Sequence, residues 1–356
     1  MRNIVICLDG TNNKYNRENT NVVKLYGLLD RAATDQIAYY QPGIGTMFPP
    51  GSWGRIRKWF IARLDLAIAW LLEDHVCAAY RFLMRYYEEG DRIYIFGFSR
   101  GAYEARVLAA MLNKTGLLGK GNEELVPFAW EIFGRKYGDD SYKKFQRIFG
   151  RRVSVHFLGL WDTVSSVGWA WNPRHFQFTA DNDLVEAVRH AMALDERRTY
   201  FFQNLWNPRP GSKVNLLQVW FPGVHCDVGG GYPDTECGLS DVTLQWMVRE
   251  AEAMQLKFDA KAKAAVFPAQ AAGANETPGV LPMKHESLKG LWWIPELIPR
   301  YLKDPHNGYV PRWLIPLGHA RVLDPGASIH SSVFERQKKD PTYRPSNIPT
   351  PYTEVQ

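Results

Sequence analysis

The stretch IYIFGFSRGAYEARVLAAML, residues 93–112, changes character at its middle. Its first half is apolar and rich in β-forming residues, and its second half is rich in alanine and leucine, so it predicts a buried strand followed directly by a helix. Ser99 stands at the join between Gly97 and Gly101. We expect the serine to adopt a strained backbone conformation, since glycines on either side remove side chains that would collide with the strand and the helix.

The spacing G-x-S-x-G at a strand-to-helix turn is typical of the nucleophile elbow of α/β hydrolases. Such a turn lifts the Ser99 hydroxyl above the strand ends, where a substrate can reach it. The backbone N–H of Arg100, at the start of the helix, would point toward the oxyanion that forms on attack. The motif therefore predicts a catalytic serine, with a purely structural turn as the alternative.

The rest of the chain alternates between the two kinds of element. Short apolar runs predict strands at residues 4–9, 37–40, 92–98, 153–161 and 215–221. Helical patterns are predicted at residues 19–32, 55–89, 100–112, 183–194 and 239–254. This alternation predicts the α/β class, with an α/β-hydrolase-like, mostly parallel sheet covered by helices on both faces.

A nucleophilic serine needs a base, and the base needs a carboxylate that orients it. In this fold the chain order is serine, acid, histidine, with the last two on loops at the ends of later strands. Asp162 follows the strand at 153–161, and His225 follows the strand at 215–221. The sequence also offers His330 as the base with Asp227 as its partner, in the same chain order.

The first strand ends in LDGTNN, at a position where a loop could supply the second oxyanion donor. We expect the donor to be the backbone N–H of Thr11 or of its neighbour Gly10. Asp9 would then hold the loop by accepting backbone N–H groups.

A metal-dependent hydrolase is a further alternative. Asp9, Asp162, His225 and Asp227 all lie at predicted strand ends and could converge on one cation. That arrangement would leave the elbow around Ser99 without a purpose, so we predict neither a metal nor any other cofactor.

The composition is that of a globular protein, with 356 residues, 46% of them hydrophobic and 22% charged. A net charge of +6 and thirteen tryptophans suit an anionic surface such as lipid headgroups or nucleic acid, or else a mildly basic enzyme surface. The four cysteines have no C-x-x-C spacing, which excludes a zinc ribbon and a disulfide scaffold as predictions.

The helix and strand alternation stops after residue 256. We therefore predict a catalytic domain at residues 1–256 and an extension at residues 257–356, which would be a lid or cap packed on the same domain. Within it, residues 288–302 carry Trp292 and Trp293, and tryptophan favours the boundary between water and lipid. The alternative is that both tryptophans complete the core.

The start of the chain has too few apolar residues before Asp9 for a signal-peptide core. The most apolar stretch, residues 59–76, is too short and too charged to span a bilayer. These features predict a protein that is cytoplasmic, or exported by a route that reads no signal peptide.

Four motifs occur in order: DGTNN, GFSRGAYEAR, WDTV and VWFPGVHCDVGGGY. Together they resemble the catalytic domain of type VI secretion system phospholipase effectors, the first class of type VI lipase effectors. The resemblance implies an esterase that acts on phospholipid acyl bonds, with Ser99, Asp162 and His225 as the matching triad.

The resemblance also implies a lipid or ester substrate, contact with a membrane surface, no nucleic-acid partner and a type VI-like route of export. A non-catalytic lipid-binding or scaffold protein on the same fold is the alternative from a different functional class.

Overall fold

Eight parallel strands form the central sheet of the computed structural model, which describes residues 1–10, 19–43, 56–135, 141–164, 176–267, 281–304 and 310–356. These strands are β1 (Asn3–Leu8), β2 (Gln36–Gln41), β3 (Arg92–Phe98), β6 (Val155–Trp161), β7 (Val185–Ala193), β8 (Asn215–Phe221), β11 (Ser328–His330) and β12 (Thr353–Val355). Their order across the sheet is β12-β11-β8-β7-β6-β3-β1-β2. Two antiparallel pairs lie outside it, β4 (Leu117–Leu118) with β5 (Gly150–Arg151) and β9 (Arg300–Asp304) with β10 (Val310–Leu314). The predicted α/β class is confirmed.

Helices cover both faces of the sheet. They are α1 (Asn21–Leu28), α2 (Ile56–Tyr86), α3 (Arg100–Thr115), α4 (Val126–Gly134), α5 (Ser141–Phe149), α6 (His225–Gly229), α7 (Gly238–Ala253), α8 (Ala260–Val266), α9 (Trp293–Glu296) and α10 (Ser331–Lys339). Residues of α2, α3, α4 and α5 share one buried apolar cluster, while residues of α1 and α7 belong to another. Among the described residues, no helix is both long enough and apolar enough to cross a membrane.

Strand β1 explains why both faces need cover. Its six residues are all buried, and successive side chains point to opposite faces of a strand. Ile4, Ile6 and Leu8 accordingly pack in the cluster under α3, and Val5 and Cys7 pack in the cluster under α1 and α7. A continuous apolar run of this kind is stable only between two layers of helices.

The prediction of a helix at residues 183–194 is wrong, because this segment forms strand β7. Its leucine, glutamate, alanine and methionine residues favour a helix by intrinsic propensity. The segment nevertheless pairs on both sides, with β6 and with β8, and seven consecutive residues from Ala187 to Ala193 are buried. Pairing in the centre of the sheet therefore overrides the local preference. His190, which the sequence pattern assigned to a helix, lies on this buried strand.

The C-terminal part of the chain contributes to the main sheet. Strand β11 pairs with β8, and β12 pairs with β11 at the edge. Both strands lie within residues 257–356, the predicted extension. Ile329 of β11 and Val333 of α10 belong to a third apolar cluster, together with Met192 of β7 and Trp220 of β8.

Parallel topology brings the carboxyl ends of neighbouring strands to one edge of the sheet. Asp9, Ser99, Asp162 and His225 each follow a strand of this sheet within a few residues. The residues predicted to carry the chemistry therefore collect along a single edge.

Candidate active site

Ser99 lies in a strained turn between β3 and α3. Its backbone dihedral angles are φ 59° and ψ −119°, a conformation that side-chain-bearing residues rarely adopt. A methyl group on Gly97 would lie 2.3 Å from the carbonyl oxygen of Gly101, and one on Gly101 would lie 2.2 Å from the carbonyl oxygen of Leu8. Only glycine fits at either position, as the sequence motif indicated. Ser99 itself stays partly accessible to solvent.

Two hydrogen bonds join Ser99, His225 and Asp162. The Nε2 atom of His225 lies 2.8 Å from Oγ of Ser99, and its Nδ1 atom lies 2.5 Å from Oδ2 of Asp162. His225 and Asp162 are 3% and 1% exposed. In this arrangement the imidazole can accept the serine proton at one nitrogen while the carboxylate fixes the other.

The Asp162 carboxylate is buried and fully occupied by donors. Its Oδ1 atom accepts the backbone N–H of Ala193 at 3.0 Å, and both oxygens accept from the guanidinium of Arg321. Burial alone would raise the pKa of Asp162, but the charge of Arg321 and the hydrogen bond from His225 hold it well below its usual range. Asp162 is therefore an anion at neutral pH.

The His225 ring is held by packing on two sides. The Phe98 ring lies 4.7 Å from it at an angle of 32°, and the Phe201 ring meets it nearly edge-on at 4.8 Å. Phe98 in turn packs on Gly229 of α6, where a methyl group would lie 1.9 Å from the aromatic ring. The absence of a side chain at Gly229 lets Phe98 reach the imidazole.

Glu196 holds the backbone of His225. Its Oε2 atom accepts the His225 N–H at 3.2 Å and the Arg198 guanidinium at 2.9 Å, and its Oε1 atom accepts the Ser287 hydroxyl at 2.9 Å. Although burial alone would raise it, the hydrogen bond and charge of Arg198 lower the pKa of Glu196 to about 2. Glu196 thus links the loop after β7, the start of α6 and the C-terminal part of the chain.

The loop after β1 is fastened by Asp9. Its Oδ1 atom accepts the Gly10 N–H at 2.7 Å, and its Oδ2 atom accepts the hydroxyls of Thr20 at 2.8 Å and Tyr40 at 2.9 Å. The Gly10 N–H is therefore engaged with Asp9. Thr11, the other candidate for the second oxyanion donor, lies outside the described residues.

Arg100 is the first residue of α3, where backbone N–H groups have no partner within the helix. Burial lowers the pKa of its side chain to about 10, which leaves it charged at neutral pH. Its backbone N–H lies at the start of α3, one residue after Ser99.

The structure gives Asp227 and His330 partners other than Ser99. Asp227 accepts the N–H of Val224 at 2.9 Å and pairs with Nδ1 of His285 at 2.6 Å. Nδ1 of His330 accepts the Ser332 N–H at 3.2 Å as the cap of α10, and its ring stacks on Phe221 at 4.4 Å. Burial lowers the pKa of His330 to about 4. Neither residue is joined to the other.

Of the four side chains of the metal alternative, Asp162 and His225 bind each other, whereas Asp9 and Asp227 bind other groups. Asp9 binds hydroxyl and amide donors, Asp162 binds Arg321 and His225, and Asp227 binds His285. Among the described residues, no three histidine, cysteine, aspartate or glutamate side chains are grouped so that they could hold a metal ion.

Two contributors were not predicted from the sequence, Arg321 and Glu196. Neither belongs to a recognisable motif, and both reach the site from loops. Arg321 is 159 positions from the carboxylate that it binds.

The chain belongs to the family described as the catalytic domain of Tle1-like phospholipase effectors of the type VI secretion system. The family model matches residues 2–250, more than half of the chain. The resemblance that the four motifs indicated is thereby confirmed.

Three relatives illustrate the similarity. "Uncharacterized protein YEL023C" of Saccharomyces cerevisiae (strain ATCC 204508 / S288c) is 43% identical over 227 residues, which are 59% of this chain and 33% of the yeast protein. The crystal structure of an uncharacterized protein from Pseudomonas aeruginosa is 21% identical, with a TM-score of 0.43 over 74% of this chain and 48% of that one. The structure of the Tle1 effector bound to the VgrG spike from the type VI secretion system is 19% identical, with a TM-score of 0.38 over 67% of this chain and 52% of that one. This chain thus spans about a third of the yeast protein and about half of each solved chain.

Replacing Gly97 by alanine should unfold or strongly destabilise the protein, because the new methyl group would press on the backbone of α3. We expect a loss of about 3 kcal/mol or more in the free energy of unfolding, measured by urea denaturation. Gly27 of α1 is the matched control, since a methyl group there meets nothing within 4 Å. Gly27→Ala should stabilise the protein by about 0.5–1 kcal/mol. Equal effects of the two substitutions would contradict the elbow interpretation.

Glu196 should make folding sensitive to acid. Its pKa is lower in the folded protein than the ordinary value of 4.5, so the stability that it contributes is present above pH 4.5 and is lost as the pH falls toward about 2. Glu196→Gln should therefore destabilise the protein by on the order of 3 kcal/mol at pH 7, and the difference from the unmodified protein should shrink as the pH falls from 4.5 to about 2.

Urea unfolding at a series of pH values measures this effect. Glu131→Gln is the control, because Glu131 is an exposed carboxylate paired with Arg135 on α4, and it should change stability by less than about 0.5 kcal/mol. A Glu196→Gln curve that runs parallel to that of the unmodified protein at every pH would refute the assignment.

Proposed function

We propose that this chain is a serine esterase that cleaves the acyl ester bonds of phospholipids. The observation that carries the proposal is the pair of hydrogen bonds that joins Ser99 to His225 and His225 to Asp162. Membership of a phospholipase effector family supports the lipid substrate class. The strained turn at Ser99 supports a nucleophile, since strain of this kind is concentrated at functional sites.

The proposed reaction has two halves. In the first, Nε2 of His225 takes the proton from Oγ of Ser99 while Oγ attacks the ester carbonyl carbon. The tetrahedral intermediate collapses when Nε2 returns that proton to the departing glycerol oxygen, which leaves an acyl group on Ser99. In the second half, Nε2 takes a proton from water, the hydroxide attacks the acyl carbon, and the fatty acid departs as Ser99 regains its proton.

Asp162 and Arg100 have supporting roles in this scheme. Asp162 keeps Nδ1 of His225 protonated, so that Nε2 is free to accept, and it stabilises the imidazolium that forms. The backbone N–H of Arg100 would donate to the oxyanion. The Gly10 N–H already donates to Asp9, which favours Thr11 as the second oxyanion donor. This role of Thr11 stays a prediction.

The family description also supports the second of the two predicted locations, which is export by a type VI route that reads no signal peptide.

Ser99→Ala should abolish the reaction, because no other described group is in contact with Nε2 of His225 as a nucleophile. We expect kcat to fall on the order of 10⁴- to 10⁶-fold, and labelling by a fluorophosphonate probe to disappear. His225→Ala should cause a loss of the same order, and His330→Ala is the matched control.

His330→Ala should leave kcat within a few-fold of normal and lower stability by about 1 kcal/mol through loss of the α10 cap. Circular dichroism establishes that each variant is folded. Full turnover by His225→Ala, or activity that EDTA removes and a divalent cation restores, would contradict the proposed mechanism.

We further propose that an apolar surface beside the site faces the lipid. It consists of residues that are from 39% to 81% exposed: Leu291, Trp292, Trp293, Ile294, Leu297, Ile298, Trp313, Ile315 and Leu317. Large apolar groups grouped in this way are typical of a membrane or protein interaction site. The exposed Lys289 adjoins the surface, where it suits an anionic headgroup.

The position of this apolar surface supports the lipid role. The Trp292 ring, which is part of the surface, packs against Phe201 at 5.8 Å, and Phe201 packs against His225. One aromatic ring therefore separates the surface from the candidate base. The buried Glu296 accepts the N–H groups of Thr199 at 2.7 Å and Gly318 at 3.2 Å, which fixes α9 at this place. An ester group entering from the surface would have a short path to Ser99.

Replacing Leu291 and Trp293 together by serine should weaken binding to phosphatidylglycerol-containing vesicles at least about tenfold, because each replacement removes apolar area that the lipid would bury. Hydrolysis of a soluble short-chain ester should remain. Phe128 on α4 and Ile148 on α5 are also exposed apolar residues, and their double replacement by serine is the control. Vesicle sedimentation and ester turnover are measured on both variants. Equal loss of binding in the two, or loss of soluble-ester turnover in the first, would argue against a lipid-facing surface.

A further inference from the structure

Arg321 reaches Asp162 from a part of the chain that the family match does not cover. The match ends at residue 250, and Arg321 lies between β10 and β11. Its Nη1 atom lies 2.5 Å from Oδ1 of Asp162, and its Nη2 atom lies 3.0 Å from Oδ2. The residue is only 5% exposed. A bidentate pair of this kind fixes the carboxylate plane as well as its charge.

The guanidinium is itself oriented by the backbone around the site. Nη1 donates to the carbonyl oxygen of Ala193 at 2.9 Å, and Nη2 donates to that of Phe201 at 2.5 Å. The carbonyl of Arg321 accepts Nδ2 of Asn347 at 3.0 Å, and Asn347 also donates to Leu194 at 3.0 Å. The arginine is thus tied to the loop after β7 through both its side chain and its backbone.

The four acceptor positions of the Asp162 carboxylate are all taken. Oδ1 accepts from Arg321 and from the Ala193 N–H, and Oδ2 accepts from Arg321 and from His225. A carboxylate has about four lone-pair sites, so Asp162 has no vacant one toward which it could turn. Two of the four donors come from Arg321.

We propose that Arg321 is a positioning residue for the esterase reaction, which holds the Asp162 carboxylate aimed at Nδ1 of His225. The inference rests on the proposed function of Ser99, His225 and Asp162. It implies that the C-terminal part of the chain completes the site, because the family-matched residues alone contain only half of the carboxylate's donors.

The charge of Arg321 has a second consequence. The charge of Arg321 helps to hold the pKa of Asp162 below its usual range, so without that charge the carboxylate would take up a proton at higher pH. Among the described residues, other charged or titratable groups near this pair include Glu196, which accepts the His225 N–H, Arg198, which pairs with Glu196, and His190, whose Nε2 accepts the Thr163 N–H. Loss of the Arg321 charge should therefore move the acidic limb of the kcat/KM profile to higher pH.

The experiment compares Arg321→Gln and Arg321→Lys in the full chain, with a soluble short-chain ester as substrate. Arg321→Gln removes both the positive charge and the two-point contact with the Asp162 carboxylate. We therefore expect kcat to fall roughly 100-fold with little change in KM, and the acidic limb to shift to higher pH. Arg321→Lys keeps the charge but cannot bind both oxygens, so its acidic limb should stay near that of the unmodified protein while kcat falls. If Arg321→Gln fails to fold, the fall in kcat of Arg321→Lys still tests the positioning role.

Arg189→Lys is the matched control. Arg189 is a similarly buried arginine on β7 that pairs with Glu250 at 2.6 Å and with the Asn215 carbonyl at 2.9 Å, away from the strand ends. It should lower thermal stability without changing kcat or the pH profile. Normal kcat and a normal acidic limb in both Arg321 variants would overturn the proposal, even if their stability falls. Activity that survives Ser99→Ala would instead refute the proposed function itself, so the two failures are distinguishable.

Discussion

A carboxylate that is buried in its charged form places strict demands on everything around it. Asp162 is 1% exposed, and an ion removed from water costs several kcal/mol unless donors replace its hydration. Its donors come from the end of β7, from α6 and from the segment before β11. The charge of Asp162 therefore requires these three parts of the chain to meet the end of β6 at one edge of the sheet.

Two strained residues follow neighbouring strands at that edge. Ser99 has a φ of 59° and Asp162 a φ of 35°, both in the left-handed region that non-glycine residues seldom occupy. The backbone N–H of Ser99 donates to Trp161 at 3.0 Å, and that of Asp162 donates to Ala191 at 2.8 Å. Hydrogen bonds to the adjacent strands thus hold each residue in a conformation that it would leave if it were free. The fold itself therefore holds Ser99 and Asp162 in these conformations.

The sequence predicts those features that are encoded within a short stretch of the chain. The elbow glycines act within five residues, and strand ends follow from apolar runs, so the positions of Ser99, Asp162 and His225 could be inferred from pattern alone. β7 was mistaken for a helix because its pairing partners lie elsewhere in the chain, and side-chain propensity says nothing about them. Arg321 and Glu196 bind through loops whose course depends on the finished fold. No periodicity or spacing in the sequence records such contacts.

The parallel sheet also has a consequence for how the protein is made. The elbow and its helix contact one another within a few residues, but Asp162 and Arg321 are separated by 159 positions, and β8 gains its neighbour β11 only after residue 328. Pairings of such long range form late in folding, because a long loop has to close first. On a ribosome, Ser99 would be synthesised more than two hundred residues before Arg321, which supplies two of the donors of Asp162. An unfinished chain would carry Ser99 before the donors of Asp162 are complete, so the proposed activity would begin only after synthesis has passed the C-terminal strands.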